Sequence, residues 1–150
     1  MLKIYLDNCC YNRPFDDQNQ DLIRLETEAK LIIQERIKLG LYSLVWSFIL
    51  DFENDENPSG DKHESIQTWK LIATEYCPAS VDILLKTKEF MTLGLKHKDA
   101  FHVACAIKHK CDYLLTTDKK FLNKSKHFLE ISIMNPMAFL FETEDKNANR

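Results

Sequence analysis

The chain has few glycines and no long apolar run, and both absences exclude whole classes of protein. Only three of its 150 residues are glycine, and none stands in a glycine-rich phosphate loop. We therefore expect no nucleotide cofactor. No stretch approaches the roughly eighteen apolar residues that cross a bilayer, and the first apolar run is too short for a signal peptide. We expect a cytoplasmic protein with no membrane association.

The cysteines are odd in number and lack the spacing of a zinc site. None of the five forms a Cys-x-x-Cys pair; Cys9 and Cys10 are adjacent, and Cys105 and Cys111 are six positions apart. This pattern favours small buried thiols in a reducing compartment over disulfides or zinc ligands. At this length we expect one domain, residues 1–143, followed by a polar tail, residues 144–150.

The net charge of −3 conceals an uneven distribution along the chain. Residues 1–60 carry 11 acids and 6 bases, whereas the segment from Lys86 to Lys126 carries ten lysines and four acids. A chain that is acidic overall can therefore present a basic surface to a phosphate backbone. A solvated, lysine-rich helical surface explains the same pattern, so charge alone leaves both interpretations open.

Apolar periodicity predicts alternating strands and helices along the whole chain. The predicted strands are residues 2–6, 41–47, 75–77, 113–115 and 129–134. The predicted helices are residues 21–39, 48–54, 62–73 and 81–92, one that begins at residue 98, and a short one at 121–122. Residues 8–20 are expected to form a polar turn, and residues 137–141 a closing turn or strand. This alternation is typical of a parallel sheet with helices on both faces.

In the helix that follows Asp21, the apolar spacing predicts which face is buried. The residues that share this face are Leu22, Leu25, Ala29, Ile32 and Ile33. Trp46 and Trp69 are interpreted as core or subunit-interface residues. The helix after Asp21 offers a surface to a dimer partner or an antitoxin, although a core face explains its pattern equally well.

The stretch from Lys98 to Asp118 contains two of the acids on which the functional prediction rests. Asp99 stands at the start of a helix rich in small apolar residues, and Asp118 follows a buried strand. Asp7 ends the first strand, and Glu53 lies in the helix after the second strand. Ligands of open α/β sheets bind beyond the carboxyl ends of the strands. A sheet with the first strand at its centre would bring the ends of the first and fourth strands together.

Four ionised carboxylates in one place need compensation. Two unit charges about 4 Å apart repel by about 4 kcal/mol at an effective dielectric constant near 20. A divalent cation can offset such a cluster, or some of its carboxyls can be protonated. All-oxygen ligand sets suit Mg²⁺ or Mn²⁺ rather than zinc, and such an ion can activate water for attack on a phosphoryl group. Each acid alone could equally be a helix cap or a turn residue, so the joint placement carries the functional interpretation.

The chain resembles the PIN domain, the nuclease domain of VapC-type toxins and of many RNA-processing proteins. The resemblance covers residues 2–122 and rests on four stretches: Ile4-Tyr5-Leu6-Asp7-Asn8, Ser47 with Glu53 six positions later, Lys98-Asp99-Ala100-Phe101-His102-Val103-Ala104, and Leu114-Leu115-Thr116-Thr117-Asp118. It implies an α/β three-layer sandwich in which helices flank a central parallel sheet. It also implies an acidic site that binds Mg²⁺ or Mn²⁺ and hydrolyses RNA phosphodiesters.

The resemblance also implies roles for individual residues. The catalytic and metal-binding acids would be Asp7, Glu53, Asp99 and Asp118. The neighbours that orient the site would be Asn8, Ser47 and Thr116. The expected RNA contacts are Arg13, Lys98, Lys119 and Lys120. On this interpretation the protein is the toxin of a toxin–antitoxin pair, a small antitoxin protein occludes its site, and a homodimer is a further expected assembly.

The chain departs from the family pattern at two places. The opening Asp7-Asn8-Cys9-Cys10-Tyr11-Asn12-Arg13-Pro14 leads into a longer and more polar segment than compact VapC-like toxins have, and resembles a bacterial branch of the family. Some relatives carry another acid two or three positions after the last aspartate, where this chain has Lys120 and Phe121. This second departure bears on whether a second metal ion binds.

Two other functions remain open at this point. A non-catalytic RNA-binding or scaffold protein could keep the same fold. A phospho-accepting domain with Asp7 as its nucleophile is less favoured, because Cys9 stands where its second aspartate would be. His102, three positions after Asp99, is interpreted as a packing or surface residue.

Overall fold

The computed structural model describes residues 1–127 and 130–148, which form five strands and eight α-helices. The strands are β1 (Leu2–Leu6), β2 (Tyr42–Ser47), β3 (Glu75–Cys77), β4 (Tyr113–Leu115) and β5 (Ser132–Met134). The helices are α1 (Asn8–Asn12), α2 (Asp21–Lys38), α3 (Phe48–Asp55), α4 (Gly60–Ile72), α5 (Val81–Thr92), α6 (His97–Lys108), α7 (Lys119–Lys124) and α8 (Pro136–Ala148). None of these helices combines the length and the apolar character needed to cross a bilayer.

The five strands form one sheet in the order β3-β2-β1-β4-β5, and every neighbouring pair is parallel. The strand β1 is therefore central, and its end lies between the ends of β2 and β4. Beyond the end of β1, the backbone N–H of Asp7 donates to the carbonyl of Leu115 at 2.9 Å. This pairing brings the residues that follow β1 and β4 to one edge of the sheet.

Helices cover both faces of the sheet because alternate strand residues point in opposite directions. On one face Tyr5 contacts His102 of α6, which packs against α5. On the other face Tyr42 and Tyr113 both contact the ring of Phe139 in α8 edge-on, and α8 packs against α2. The expected three-layer sandwich is confirmed.

The core contains the residues that the sequence marks most strongly as buried. Trp46 is fully buried and contacts the ring of Tyr11 edge-on at 5.2 Å, and Trp69 is 9 % exposed. All five cysteines are free thiols, and four of them are buried as predicted. Cys9 alone is half-buried, at the edge of the sheet beside Asp7.

Residues 8–15 are helical, which corrects the prediction of a polar turn. Asp7 caps α1 because its Oδ1 accepts the N–H of Asn8 at 2.7 Å, and a 3-10 turn, Arg13–Phe15, follows directly. Asp7 alone separates α1 from β1, so there is no separate loop, and a helix of five residues is too short to show an apolar period.

The buried face of α2 also differs from the prediction. Three of the five residues expected inside are between 42 and 47 % exposed: Leu22, Leu25 and Ile32. Glu26 and Lys30 are buried instead, Glu26 against Arg13 of the 3-10 turn and Lys30 against the rings of Tyr11 and Trp69. Apolar spacing could not show that the preceding polar segment supplies a partner for a buried carboxylate.

The C-terminal residues form a helix where a turn or strand and a tail were predicted. Pro136 occupies the first turn of α8, where its missing N–H costs nothing, and Asn135 Oδ1 accepts the N–H of Met137 at 2.8 Å. The helix continues past residue 143, where the domain is predicted to end; residues 149 and 150 lie outside the described residues. The start of the last predicted strand, at residue 129, lies outside them too.

Candidate active site

A cleft of about 510 Å³ opens at the carboxyl ends of β1 and β4. All four acids singled out in the sequence line it, and each comes from a different part of the fold. Asp7 follows β1, Glu53 is on α3, Asp99 is in the first turn of α6, and Asp118 follows β4. The structure thus brings the four carboxylates together, while their catalytic and metal-binding roles stay predictions.

Asp7 is the most constrained of the four carboxylates. It is 6 % exposed; its Oδ1 accepts the N–H of Asn8, and its Oδ2 accepts the hydroxyl of Thr116 at 2.8 Å. The thiol of Cys9 lies 3.3 Å from the same Oδ2. These donors hold the carboxylate in one orientation at the floor of the cleft.

Asp118 is held by the start of the next helix. Its Oδ1 caps α7 by accepting the N–H groups of Lys120 at 2.9 Å and Phe121 at 3.2 Å. Its own N–H donates to Thr116 Oγ1 at 3.1 Å. Thr116 is therefore hydrogen-bonded to both Asp7 and Asp118, which fits its predicted role as a neighbour that orients the acids.

Asp99 is partly buried beside other acids of the cleft. Burial and the neighbouring charges of Asp7 and Asp118 raise the pKa of this carboxyl to about 6, although His102 and Lys96 act in the opposite direction. An aspartate that resists ionisation in this way would gain from a cation in the same cleft.

His102 lies inside the site, which corrects its interpretation as a packing or surface residue. The imidazole is fully buried, with Nε2 at 2.5 Å from Glu53 Oε1 and 3.2 Å from Asp7 Oδ1. Burial disfavours the imidazolium, but the charge of Asp7 and the hydrogen bond with Glu53 outweigh it and raise the pKa of His102 above its ordinary value. The available signal was its position three residues after Asp99, on the same helical face.

Two other predicted neighbours of the acids occupy different places. Asn8 lines the cleft, and its Oδ1 is buried without a hydrogen-bond partner among the described residues. Ser47 lies away from the cleft and is fully buried. Its Oγ accepts the N–H of Leu50 at 3.3 Å, which caps α3, and lies 2.6 Å from the hydroxyl of Tyr5.

Three of the four predicted RNA contacts are solvent-accessible. Lys98 lines the cleft, with Nζ at 3.6 Å from Glu56, and Lys119 and Lys120 are exposed in the first turn of α7. Lys96 and His97 also line the cleft, although neither was predicted from the sequence.

Arg13 is different, because its guanidinium is already engaged within the fold. Its Nη1 lies 2.8 Å from Asp16 Oδ2, and its Nε lies 3.2 Å from Glu26 Oε1. Glu26 is 2 % exposed, and the positive charge of Arg13 compensates its buried carboxylate. Through these two ion pairs Arg13 anchors the segment before α2, and its contact with RNA stays a prediction.

The oxygen atoms of the cleft fit a hard divalent cation better than its histidine does. Asp7, Glu53 and His102 each offer one atom within 4.8 Å of the others. However, His102 Nε2 faces two carboxylate oxygens at hydrogen-bond distance, so it must carry a hydrogen and cannot donate a lone pair to a metal. Carboxylate oxygens, with the unpaired Oδ1 of Asn8 beside them, are the donors that Mg²⁺ and Mn²⁺ take.

Neither the sequence models of known families nor the curated proteins contain a match to this chain. Chains from two VapBC complexes are among the solved structures that share its fold. The first is a structure of VapBC2 from Rickettsia felis bound to a promoter DNA fragment. One of its chains superimposes with a TM-score of 0.55 at 14 % identity, and the match covers 89 % of the present protein and 98 % of the VapBC2 chain. A chain of VapBC-1 from nontypeable Haemophilus influenzae gives 0.58 at 15 % identity, with 91 % and 99 % covered. At these identities the likeness shows the fold, and it is the fold that the PIN resemblance implies.

Proposed function

We propose that the protein is a divalent-metal-dependent endoribonuclease that hydrolyses RNA phosphodiesters. The observation that carries this proposal is the convergence of four carboxylates, from four separate elements, on one cleft at the carboxyl end of a parallel sheet. Such a cluster costs stability, as indicated by the pKa of Asp99, which burial and the charges of Asp7 and Asp118 raise. The fold shared with chains of two VapBC complexes supports the same function.

The residues of the cleft divide into those that would hold the ion and those that would hold the substrate. Asp7, Asp99 and Asp118 would bind Mg²⁺ or Mn²⁺, with Glu53 helping directly or through a water; the bound ion would activate a water and offset charge on the phosphoryl group. Glu53, which is hydrogen-bonded to His102, would orient the attacking water. Lys96 and Lys98 at the rim would bind the flanking phosphates of the RNA.

A non-catalytic RNA-binding or scaffold protein is the second candidate. One observation favours it: His102 already places an N–H donor between Asp7 and Glu53, so part of the acidic cluster is satisfied without a metal ion. This candidate predicts RNA affinity that falls with salt, and no metal-dependent turnover.

We further propose that the protein acts as a toxin and is held inactive by a small antitoxin protein. The support is its fold, which it shares with chains from two structures named as VapBC complexes. The exposed apolar residues of α2, Leu22, Leu25 and Ile32, offer a surface for such a partner or for a second copy of the chain. The mass of the purified protein in solution, with and without the product of a neighbouring gene, would distinguish the two assemblies.

Metal-dependent cleavage is the direct test of the nuclease. Mn²⁺ is titrated into the pure protein with a mixed pool of labelled RNA, beside the Asp99→Asn variant and a chelator control. Cleavage that needs Mn²⁺ and is lost in the variant supports the nuclease. Metal binding without cleavage of any RNA in the pool would favour the binding protein, and absence of metal binding would contradict the assignment of the acids.

A further inference from the structure

We propose that Tyr5 and Ser47 are positioning residues that act on the cleft through His102, and that His102 serves as a hydrogen-bond donor to Glu53 and Asp7 and not as a metal ligand. The catalytic consequence of this role rests on the proposed nuclease function. Its structural part does not, because it concerns which atom of one imidazole carries a hydrogen and what holds that ring in place.

A continuous chain of hydrogen bonds joins the interior of the protein to the acids. The hydroxyls of Ser47 and Tyr5 lie 2.6 Å apart, and the Tyr5 hydroxyl lies 2.5 Å from His102 Nδ1. On the other side of the ring, Nε2 is 2.5 Å from Glu53 Oε1 and 3.2 Å from Asp7 Oδ1. Tyr5, Ser47 and His102 have no exposed surface, so water cannot replace any of these partners.

The chemical nature of its partners determines that Nε2 of His102 is a hydrogen-bond donor. A bare lone pair on Nε2 would face two carboxylate oxygens and be repelled, so Nε2 carries the hydrogen. In the neutral ring Nδ1 is then an acceptor, which Tyr5 satisfies by donating while it accepts from Ser47. In the charged ring the bonds among Nδ1, Tyr5 and Ser47 reverse, but Nε2 still donates to the carboxylates. Burial keeps the Tyr5 phenol protonated by raising its pKa well above the ordinary value.

The same residues link the chain of hydrogen bonds to the helix that carries Glu53. Ser47 caps α3 by accepting the N–H of Leu50, and Glu53 lies on α3. Tyr5 also contacts the His102 ring edge-on, with centroids 5.4 Å apart. Loss of the Tyr5 hydroxyl would leave Nδ1 buried without a partner, and the ring would lose the contact that aims Nε2 at Glu53.

Nitrogen NMR of the imidazole in the ¹⁵N-labelled wild-type protein tests the donor role without any activity. We expect the Nε2–H signal of His102 in the metal-free protein and its retention when saturating Mg²⁺, a diamagnetic ion, is added. Loss of that hydrogen on Mg²⁺ binding would make Nε2 a ligand and would overturn the proposal. A protein that keeps the signal, binds Mg²⁺ and cleaves no RNA would contradict the proposed function and leave this inference standing.

Tyr5→Phe tests the positioning role, since it keeps the ring and removes only the hydroxyl. We expect Mn²⁺ affinity or kcat to fall about tenfold to a hundredfold, with KM for RNA unchanged. Tyr42→Phe is the matched control, because its hydroxyl is bonded to Arg36 at 2.9 Å, outside the cleft. Equal effects of the two variants on Mn²⁺ affinity and kcat would overturn the positioning role.

Substitution of His102 itself separates a donor from a general packing residue. His102→Gln can still place an N–H near Glu53 and Asp7, whereas His102→Ala cannot. We expect the glutamine variant to restore most of the Mn²⁺ affinity that the alanine variant loses. Equal loss in two variants that both remain folded by circular dichroism would contradict the donor role.

Discussion

Thr116 Oγ1 donates to Asp7 Oδ2 at 2.8 Å and accepts the N–H of Asp118 at 3.1 Å, so one buried hydroxyl joins the two acids that follow neighbouring strands. The bond exists because β1 and β4 are adjacent and parallel, with Leu6 in register with Leu115. The residue after each strand therefore leaves the sheet at the same level. The sheet thus fixes the contact between Asp7 and Thr116, and Asp118 follows Thr116 two positions later.

Replacement of Thr116 by valine should weaken metal binding more than it weakens the fold. The substitution keeps the side-chain shape and removes the donor to Asp7, so we expect Mn²⁺ affinity to fall about tenfold by calorimetry. The free energy of unfolding should fall by about 1 kcal/mol, the usual net worth of one hydrogen bond. Thr143→Val is the control: its buried hydroxyl donates to Phe139 O at 2.8 Å in α8, and its loss should leave Mn²⁺ affinity unchanged.

Asp99→Asn should stabilise the metal-free protein at pH 7. The pKa of this carboxyl is raised from 3.8 to about 6 by folding, so the native state holds its proton more tightly and loses stability as pH rises between those values. Because the side chain is partly exposed, we expect a gain of only about 1 kcal/mol at pH 7, and almost none at pH 4. Denaturant unfolding at the two pH values measures it.

Asp61→Asn provides the control for Asp99→Asn, since Asp61 is also an aspartate in the first turn of a helix, α4, and is exposed. Asp61→Asn removes the same favourable interaction between a carboxylate and a helix N-terminus, but at a site that has no neighbouring acids of the cleft. A loss of stability at pH 7 in both variants would show that the carboxylates of the cleft do not repel one another as described.

The convergence of these acids at one edge of the sheet was predictable, because each stands next to a local sequence signal for a strand or a helix. Asp7 comes directly after an apolar run that is recognisable as a strand, Asp118 comes three positions after another, and Asp99 stands at the start of a helical period of small residues. Alternation of strands and helices then implies a parallel sheet, whose strand ends share an edge. These steps need no knowledge of side-chain contacts.

The partners of the acids were not predictable, because they depend on contacts between distant parts of the chain. His102 meets Tyr5 from 97 positions away and Glu53 from 49. The structure places His102 on the buried face of α6, but nothing local in the sequence shows that a phenol and two carboxylates surround it. The same holds for Arg13, whose partner Glu26 interrupts the apolar pattern of α2.

Arg13→Ala should destabilise the fold and leave RNA affinity unchanged. The variant would leave the carboxylate of Glu26 buried with Asn135 Nδ2, at 2.6 Å, as its remaining partner, so we expect a loss of about 3 kcal/mol in unfolding free energy. Arg24→Ala, which breaks an exposed pair with Asp21 at 3.1 Å, should cost under about 1 kcal/mol. If Arg13→Ala instead weakened RNA binding with little loss of stability, the guanidinium would be a phosphate contact after all.

Lys30→Met should stabilise the protein, because Lys30 is a buried cation with no carboxylate at ion-pair distance in the described part of the chain. It is 3 % exposed and lies 5.8 Å from the centre of the Tyr11 ring and 6.0 Å from that of Trp69. Burial lowers its pKa from 10.5 to about 8, so at pH 7 the fold carries the charge at a cost. Methionine keeps the length of the stem and removes the charge.

The gain from Lys30→Met should depend on pH in a defined direction. The unfolded chain holds the Lys30 proton more tightly than the native one, so wild-type stability rises between pH 8 and 10.5 and the advantage of methionine shrinks over the same range. We expect about 2 kcal/mol at pH 7, after allowance for about 1 kcal/mol of lost cation–π attraction. Lys38→Met is the control, since Lys38 lies 5.3 Å from the same Trp69 ring but is exposed, and it should change stability by less than about 0.5 kcal/mol. A gain that is equal for both variants, or constant with pH, would mean that the burial of the Lys30 charge does not limit stability.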